Sequence, residues 1–222
     1  MDGTLVDTER LWDIAVFELA EHMGRPLDDS TRERTLGNSL QGFFEILGEY
    51  TGRVIEGEEY RRLADRLNSR VTELMRSDMR WRPGALELLE DLAATRTPTA
   101  LVTNTTDDVA VVPLDFIDRT RFDVVVTGSM VSAGKPAPDP YLLACERLGV
   151  DPRETVAVED SVTGATSAVA AGCRVLYVPS TDGQPDVPGA RTHPTLAGVD
   201  TARLDALTSG AAVPAAVEQS RV

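Results

Sequence analysis

Four short apolar runs in the second half of the chain are separated by segments long enough to form helices. The runs TALVTN, FDVVVTG, TVAVED and RVLYVP lie between residues 99 and 179 and are rich in β-branched residues. Strands that alternate with helices predict a parallel, doubly wound α/β sheet with right-handed crossovers. Ligands in such sheets bind beyond the carboxyl ends of the strands, so functional residues are expected there.

The part of the chain before residue 80 has the periodicity of helices and no clear strand. Apolar residues over 11–23 share one helical face, and Gly24 supplies a stop signal. Ser30–Glu33 has the spacing of a capping box for a second short helix that ends near Gly37. Apolar residues over 63–74 mark a third helix.

The change in pattern near residue 80 divides the chain. We expect a helical cap domain over residues 10–80, inserted into an α/β core that consists of residues 1–9 and 81–222. A chain of 222 residues is long enough to bury a core of this kind without the help of disulfides.

The charge of the chain argues against two classes of partner. The formal net charge is −14 and the sequence pI is about 4.5, which disfavours binding to nucleic acids and to anionic membranes. No apolar run approaches the roughly 20 residues that span a bilayer, and the N-terminus lacks the layout of a signal peptide. We expect a cytoplasmic protein, monomeric or homodimeric, that binds neither nucleic acids nor membranes.

Polar side chains follow three of the predicted strands. Thr103 and Asn104 follow the first strand, Lys135 comes after the second, and Glu159 and Asp160 end the third. Hydroxyl and backbone donors together with a lysine suit the oxygens of a phosphate, and carboxylates suit Mg²⁺. Each group also has an ordinary structural explanation, because Asn is common in turns and a strand-end acid can cap the next helix.

Lys135 is the one lysine among the 22 lysine and arginine residues of the chain. It lies in the run GKPAPDPY, in which Asp139 and Pro140 read as the start of a helix. That helix start does not explain the lysine. A compact, mobile ammonium group can serve a phosphate where a guanidinium fork does not, so a functional role is favoured.

The chain opens with MDGTLVDTE, which supplies an acid, a glycine and a hydroxyl before a helix. Together with VTN, GKPAPDP and VEDSVTG, this run resembles the haloacid dehalogenase superfamily of Mg²⁺-dependent phosphohydrolases. The resemblance is to the subgroup with an inserted helical cap, which contains phosphoglycolate phosphatases, sugar-phosphate phosphatases and β-phosphoglucomutases. The motifs occur in the expected order up to about Pro179, and they imply a Rossmann-like α/β core.

The resemblance implies roles for the charged residues. Asp2 resembles the general acid and base, and its backbone carbonyl resembles a ligand of Mg²⁺. Lys135 resembles the residue that neutralises charge on the phosphate. Asp160 resembles the carboxylate that binds Mg²⁺, and Glu159 resembles either a further ligand or the partner of one.

The resemblance also implies which residues contact the substrate. Thr103 and Asn104 resemble phosphate-binding residues. In the helical cap, Gly37, Asn38 and Ser39 lie where members of this subgroup contact the rest of the substrate. The substrate is expected to be a small phosphorylated metabolite whose identity the sequence does not reveal.

The first motif departs from the pattern of the family, which reads D-x-D-G-T. Met1 occupies the x, so the nucleophilic aspartate and the apolar strand that carries it would precede this chain. Removing a strand from the middle of a sheet leaves buried groups unpaired at roughly 1–3 kcal/mol each. We therefore expect Met1 to be an internal residue of a longer gene product, and the 222-residue chain by itself to be inactive or impaired.

The leading expectation is Mg²⁺-dependent hydrolysis of a small phosphate monoester through an aspartyl-phosphate intermediate. A phosphomutase of the β-phosphoglucomutase kind is an alternative, which is disfavoured because that branch usually has a histidine where this chain has Trp12. A non-catalytic phosphate-binding protein is the remaining alternative if Met1 is a genuine start.

Overall fold

The computed structural model describes residues 1–36, 38–181 and 183–208 of the chain. Its helices are α1 (Glu9–His22), α2 (Asp29–Thr35), α3 (Leu40–Thr51), α4 (Gly57–Asp78), α5 (Ala85–Thr95), α6 (Asp107–Ile117), α7 (Asp139–Leu148), α8 (Val162–Ala170) and α9 (Thr201–Thr208). Its strands are β1 (Ala100–Val102), β2 (Val124–Val126), β3 (Val156–Glu159), β4 (Arg174–Tyr177) and β5 (Ala190–Thr192). Within these described ranges, no helix is both long and apolar enough to cross a membrane.

The predicted helical segment forms α1 to α4, with two differences from the prediction. Asp28 rather than Ser30 caps α2, because the Asp28 carboxylate accepts a hydrogen bond of 2.7 Å from the backbone N–H of Thr31. Ser30 already lies within the helix. The sequence pattern does not predict α3, which Ser39 caps and which ends at Thr51, before Gly52 in the left-handed conformation.

Helices α1, α3 and α4 pack their apolar faces around a shared core. Its buried members include Leu11, Val16, Leu19, Phe44, Leu47, Leu63, Leu67 and Val71. Burying one such side chain contributes roughly 1.5–3 kcal/mol. Val109 of α6 belongs to the same core, so the helical segment packs directly against the α/β part of the molecule. The division into cap and core domains stays a prediction.

All strand pairs in the described residues are parallel. β1 pairs with β2, and Leu101 lies opposite Val125. β4 lies between β3 and β5, with Ala157 of β3 opposite Val175 of β4. Helix α7 packs on β1 and β2, and α8 packs on β3 and β4. The predicted mixed α/β fold with parallel strands is confirmed.

The strands form two sheets, β1–β2 and β3–β4–β5, rather than one continuous sheet. A cavity of about 390 Å³ lies between β1 and β3, and apolar residues such as Leu5, Leu89 and Leu148 line it. The family resemblance places an absent strand in the middle of the sheet. Whether such a strand occupies this cavity stays a prediction.

The edges of β1 and β3 that face the cavity are suited to pairing. Backbone groups of Thr99 and Thr103 form hydrogen bonds with β2. Alternate residues of a strand direct their N–H and C=O groups to opposite sides, so those of Ala100 and Val102 face the cavity. The cavity therefore combines apolar walls with two parallel strand edges.

An N-terminal extension of about five apolar, β-branched residues is expected to stabilise the chain, because it can pair with both edges and fill the cavity. The midpoint of thermal unfolding should rise by about 4–8 °C, which corresponds to roughly 2 kcal/mol for a domain of this size. An extension of equal length made of glycine and serine is the control. Equal midpoints for the two extensions would contradict the interpretation of the cavity between β1 and β3 as the position of a further strand.

Candidate active site

Asp2 lies at the carboxyl end of β1, where two hydroxyl groups hold its carboxylate. Thr8, which precedes α1, donates a hydrogen bond of 2.7 Å to Oδ1 of Asp2. Thr105, which follows β1, donates one of 2.8 Å to Oδ2. Both carboxylate oxygens of Asp2 are thereby oriented by short side chains from two different segments.

Asp160 is a buried carboxylate at the end of β3, held against the N-terminal segment. The Thr4 hydroxyl donates a hydrogen bond of 2.6 Å to its Oδ1. Gly3 has a φ of 66°, and a Cβ at this position would overlap the Asp160 carboxylate. Burial, followed by the negative charge of Glu159, raises the pKa of Asp160 to about 6. A buried carboxylate crowded by a second acid favours a cation beside it.

Lys135 and Glu159 form a buried ion pair at the ends of β1 and β3. The Lys135 ammonium also donates a hydrogen bond of 3.1 Å to the carbonyl oxygen of Val102. The Tyr141 hydroxyl donates to the same Glu159 oxygen that Lys135 contacts. Burial, reinforced by the charge of Glu159, raises the pKa of Tyr141 well above its usual value, so its hydroxyl stays protonated.

The two predicted phosphate-binding residues after β1 contact neighbouring backbone. Oδ1 of Asn104 accepts a hydrogen bond of 2.8 Å from the backbone N–H of Lys135, and its Nδ2 donates one of 3.1 Å to the Lys135 carbonyl. The Thr103 hydroxyl accepts a hydrogen bond of 3.1 Å from the N–H of Thr105. Asn104 therefore fixes the backbone that carries Lys135.

A cavity of about 120 Å³ between the strand ends and the helical segment unites most of the predicted site residues. Those that line it are Asp2, Asn38, Ser39, Thr103, Asn104, Lys135, Glu159 and Asp160. Ser39 also caps α3, and Asn38 donates a hydrogen bond of 2.7 Å to the carbonyl of Arg34. Gly37 lies outside the described residues.

The helical side of this cavity contains the ion pair of Arg32 with Glu9. Nη2 of Arg32 lies 3.2 Å from Oε2 of Glu9, and its Nε lies 2.6 Å from Oδ1 of Asp13. Arg32 also donates a hydrogen bond of 2.9 Å to the Thr35 hydroxyl. Burial and the charge of Asp160 raise the pKa of Glu9 to about 8, although Arg32 opposes the shift.

The oxygen atoms near Asp160 fit a hard divalent cation. In the described part of the chain, no three histidine, cysteine, aspartate or glutamate side chains are grouped closely enough to hold a metal ion. Mg²⁺ commonly needs only one or two protein carboxylates, with water and substrate oxygens as its other ligands. The close approach of Gly3 to Asp160 places the Asp2–Gly3 backbone beside this carboxylate.

The predicted metal ligands differ in their surroundings. Asp160 is suited to the role, and the backbone carbonyl of Asp2 belongs to the adjoining segment. Glu159 instead pairs with Lys135 and Tyr141, and a Cβ on Gly164 would overlap its carboxylate. A direct contact between Glu159 and a metal stays a prediction.

Several residues that shape the site are not identified by the sequence analysis. Thr4, Thr8 and Thr105 lie within or directly beside the quoted motifs, so their positions in the sequence offer a signal. Arg32 is different, because its partner Glu9 is 23 positions away and only the tertiary fold brings the two together.

Comparison with known proteins gives these residues a family context. Residues 1–178 match the family described as haloacid dehalogenase-like hydrolase. The chain is 35% identical over 179 residues to a phosphorylated carbohydrates phosphatase from Thermotoga maritima, covering 80% of this chain and 81% of that protein. It is 34% identical over 188 residues to a probable pseudouridine-5'-phosphatase from Drosophila melanogaster, covering 81% and 79%.

A solved structure extends this likeness to the fold. CbbY from Rhodobacter sphaeroides, in complex with phosphate, has a TM-score of 0.79 against this chain at 27% sequence identity. The match covers 92% of this chain and 96% of CbbY. The arrangement of helices and strands is therefore shared over nearly the whole length of both proteins.

Replacing Gly3 with alanine is expected to cost about 3 kcal/mol or more of unfolding free energy, because the added Cβ would displace the Asp160 carboxylate. Gly52→Ala is the matched control, since Gly52 has a φ of 67° and nothing within 4 Å of an added Cβ. The control should lose only the roughly 1–2 kcal/mol of left-handed backbone strain. Urea unfolding measures both, and equal losses would contradict the close contact at Gly3.

Glu9 should make the metal-free protein less stable as the pH rises. Its pKa is raised from 4.5 to about 8 in the folded state, so the folded chain binds more protons than the unfolded chain between these values. The unfolding free energy contributed by this group is therefore greatest below pH 4.5 and falls up to about pH 8.

Glu9→Gln should remove this contribution. In urea unfolding with a chelator, the loss of stability between pH 5 and pH 8 should shrink by at least about 1 kcal/mol, a conservative figure because the side chain is 18% exposed. An unchanged pH dependence in the variant would show that the fold does not raise the pKa of Glu9.

Proposed function

We propose that this chain, which belongs to the haloacid dehalogenase-like hydrolase family, is a Mg²⁺-dependent phosphatase for a phosphate monoester of a small metabolite. Named relatives are phosphatases, and the CbbY structure is a complex with phosphate. The observation that carries the proposal is the single cavity in which Asp2, Lys135 and Asp160 meet at the ends of the strands.

Asp2 is the proposed general acid and base. The hydroxyl groups of Thr8 and Thr105 orient its carboxylate oxygens, so the group needs little rearrangement to transfer a proton. It donates a proton to the ester oxygen that leaves and later accepts one from the attacking water. A positioned acid or base of this kind contributes typically 10²–10⁴-fold to the rate.

Lys135 and Thr103 are the proposed partners of the phosphate oxygens. Val102 and Glu159 hold the Lys135 ammonium at the ends of β1 and β3, where it can neutralise charge on the transferring phosphoryl group. Asn104 fixes the backbone of Lys135, which is a positioning role beside the phosphate contact that the resemblance implies.

Asp160 and the backbone carbonyl of Asp2 are the proposed ligands of Mg²⁺. When bound there, the metal supplies positive charge to the phosphate oxygens. The raised pKa of Asp160 supports this assignment, because a nearby cation would relieve the cost of ionising a buried carboxylate beside Glu159. Glu159 is assigned to holding Lys135 rather than to direct ligation.

Covalent catalysis by an aspartyl-phosphate needs an aspartate at the position before Met1, according to the D-x-D-G-T motif. We propose that this residue attacks phosphorus and breaks the ester bond, while Asp2 donates the proton that the leaving oxygen takes. Water then cleaves the aspartyl-phosphate and transfers a proton to Asp2. The starting residues are thereby regenerated and one phosphate is released.

One residue of the cavity disfavours the phosphomutase alternative. Trp12, which stands where that branch usually has a histidine, lines the same cavity as Asp2. An indole ring provides neither a base nor an acid for moving a phosphate between hydroxyl groups. Phosphate release rather than isomer formation is therefore the expected outcome with a sugar phosphate.

The proposal is tested with the chain extended at its N-terminus by an apolar β-branched segment that ends in aspartate. With Mg²⁺ and a chromogenic aryl phosphate, the extended chain should release phosphate at least about 10³-fold faster than the same chain with asparagine at the added position. Loss of a covalent nucleophile typically has an effect of this size or greater.

The substitution Asp2→Asn in the extended chain tests the proposed role of Asp2 as general acid and general base. It should slow turnover by about 10²-fold or more, because both proton transfers depend on this carboxyl group. Thermal unfolding shows whether each variant is folded. Equal, negligible release by the folded aspartate and asparagine extensions would overturn the proposal.

A further inference from the structure

On the cap side of the active-site cavity, which the helical segment forms, the positive charge of Arg32 is neutralised by neighbouring acids. Arg32 is 9% exposed and contacts the carboxylates of Glu9 and Asp13. Arg32 also donates a hydrogen bond to the Thr35 hydroxyl. The guanidinium group therefore lies at the wall of the cavity with its charge balanced by acids of the same helical segment.

The other charged groups of the cavity increase the excess of acids. Among the described residues that line it, the side-chain cations are Arg32 and Lys135, each in contact with a carboxylate, and the terminal ammonium of Met1 acts on Asp160. The lining acids are Asp2, Glu9, Glu159 and Asp160. A phosphate bound near Lys135 would thus face a cap side without surplus positive charge.

This balance does not depend on the protonation state of Glu9. If Glu9 is protonated, the contact of 2.6 Å between Arg32 and Asp13 still neutralises the guanidinium group. If Glu9 is ionised, the three groups together carry a negative charge. In both states, a second anionic group on the substrate meets no uncompensated cation at this wall.

The other groups that line the cap side suit a leaving group without charge. Glu9 and Thr35 present oxygen atoms to hydroxyl groups, and Trp12, Leu40 and Phe43 present apolar surface. Carboxylates accept hydrogen bonds from hydroxyl groups but repel other carboxylates and phosphates. The wall is therefore complementary to a hydroxylated carbon chain without charge.

We propose that this site selects phosphate monoesters whose leaving group is uncharged and hydroxylated, and that Asp13 determines this selectivity by neutralising Arg32. The inference rests on the proposed function, because it assumes that the phosphate binds at the strand ends. Phosphate monoesters whose leaving group carries a carboxylate or a second phosphate are therefore not expected to be preferred substrates. Specificity of this kind works by repelling the wrong ligand as well as by binding the right one.

Binding of a matched pair of ligands tests the inference without any need for turnover. Sorbitol 6-phosphate and 6-phosphogluconate differ only in a terminal hydroxymethyl group that is a carboxylate in the second. Their six-carbon chains are flexible enough to bring that end to the cap wall. In calorimetric titrations of the 222-residue chain with Mg²⁺, sorbitol 6-phosphate should bind at least about tenfold more tightly.

The substitution Asp13→Asn should release the charge of Arg32 and reduce the preference by about threefold or more. Glu58→Gln is the matched control, because Glu58 is exposed on α4, does not line the cavity, and its loss changes the net charge by the same amount. The control should keep the preference of the unmodified chain.

Inorganic phosphate is titrated in parallel to separate this inference from the proposed function. If phosphate binds with Mg²⁺ but the two esters bind equally, the selectivity inference is overturned and the phosphate site stands. If Asp13→Asn and Glu58→Gln change the preference equally, the assignment to the Arg32 cluster is overturned. If phosphate and both esters fail to bind, both proposals are overturned.

Discussion

The buried ion pair between Lys135 and Glu159 joins the two sheets of the molecule at the rim where the strands end. Its ammonium group contacts the last carbonyl of β1, and its carboxylate belongs to the last residue of β3. Removing one partner of such a pair typically costs 3–5 kcal/mol, because the other charge is left buried and unpaired. The positions of Asn104 and Tyr141 follow from this pair, since both hydrogen-bond to one of its members.

Negative charge accumulates around this pair. Burial and neighbouring acids raise the pKa of Asp160 to about 6 and that of Glu9 to about 8. A protein stabilises such crowding either by protonation or by a bound cation. Glycine residues make the crowding sterically possible, because side chains at Gly3 and Gly164 would overlap Asp160 and Glu159. The proposed Mg²⁺ would relieve this crowding at Asp160.

The sequence predicts the strands and the cavity at their ends, because both leave a pattern in neighbouring residues. The β-branched runs mark β1 to β4, and polar residues at their ends mark the cavity, because parallel strands bring those ends together. α3 has no such signal: its boundaries depend on the Ser39 cap and the left-handed Gly52. Arg32, Glu9 and Asp13 come together through the packing of α1 against α2, which no spacing along the chain reveals.

We propose that Asp2, Lys135 and Asp160 form one site for a phosphate and a divalent cation. Two ligands that bind side by side change each other's affinity by the same factor, and the opposite charges of phosphate and Mg²⁺ make this change a strengthening. A calorimetric titration of Mg²⁺ into the chain, with and without saturating inorganic phosphate, measures that factor directly. We expect phosphate to tighten Mg²⁺ binding at least about tenfold, and an unchanged Mg²⁺ affinity would contradict a shared site.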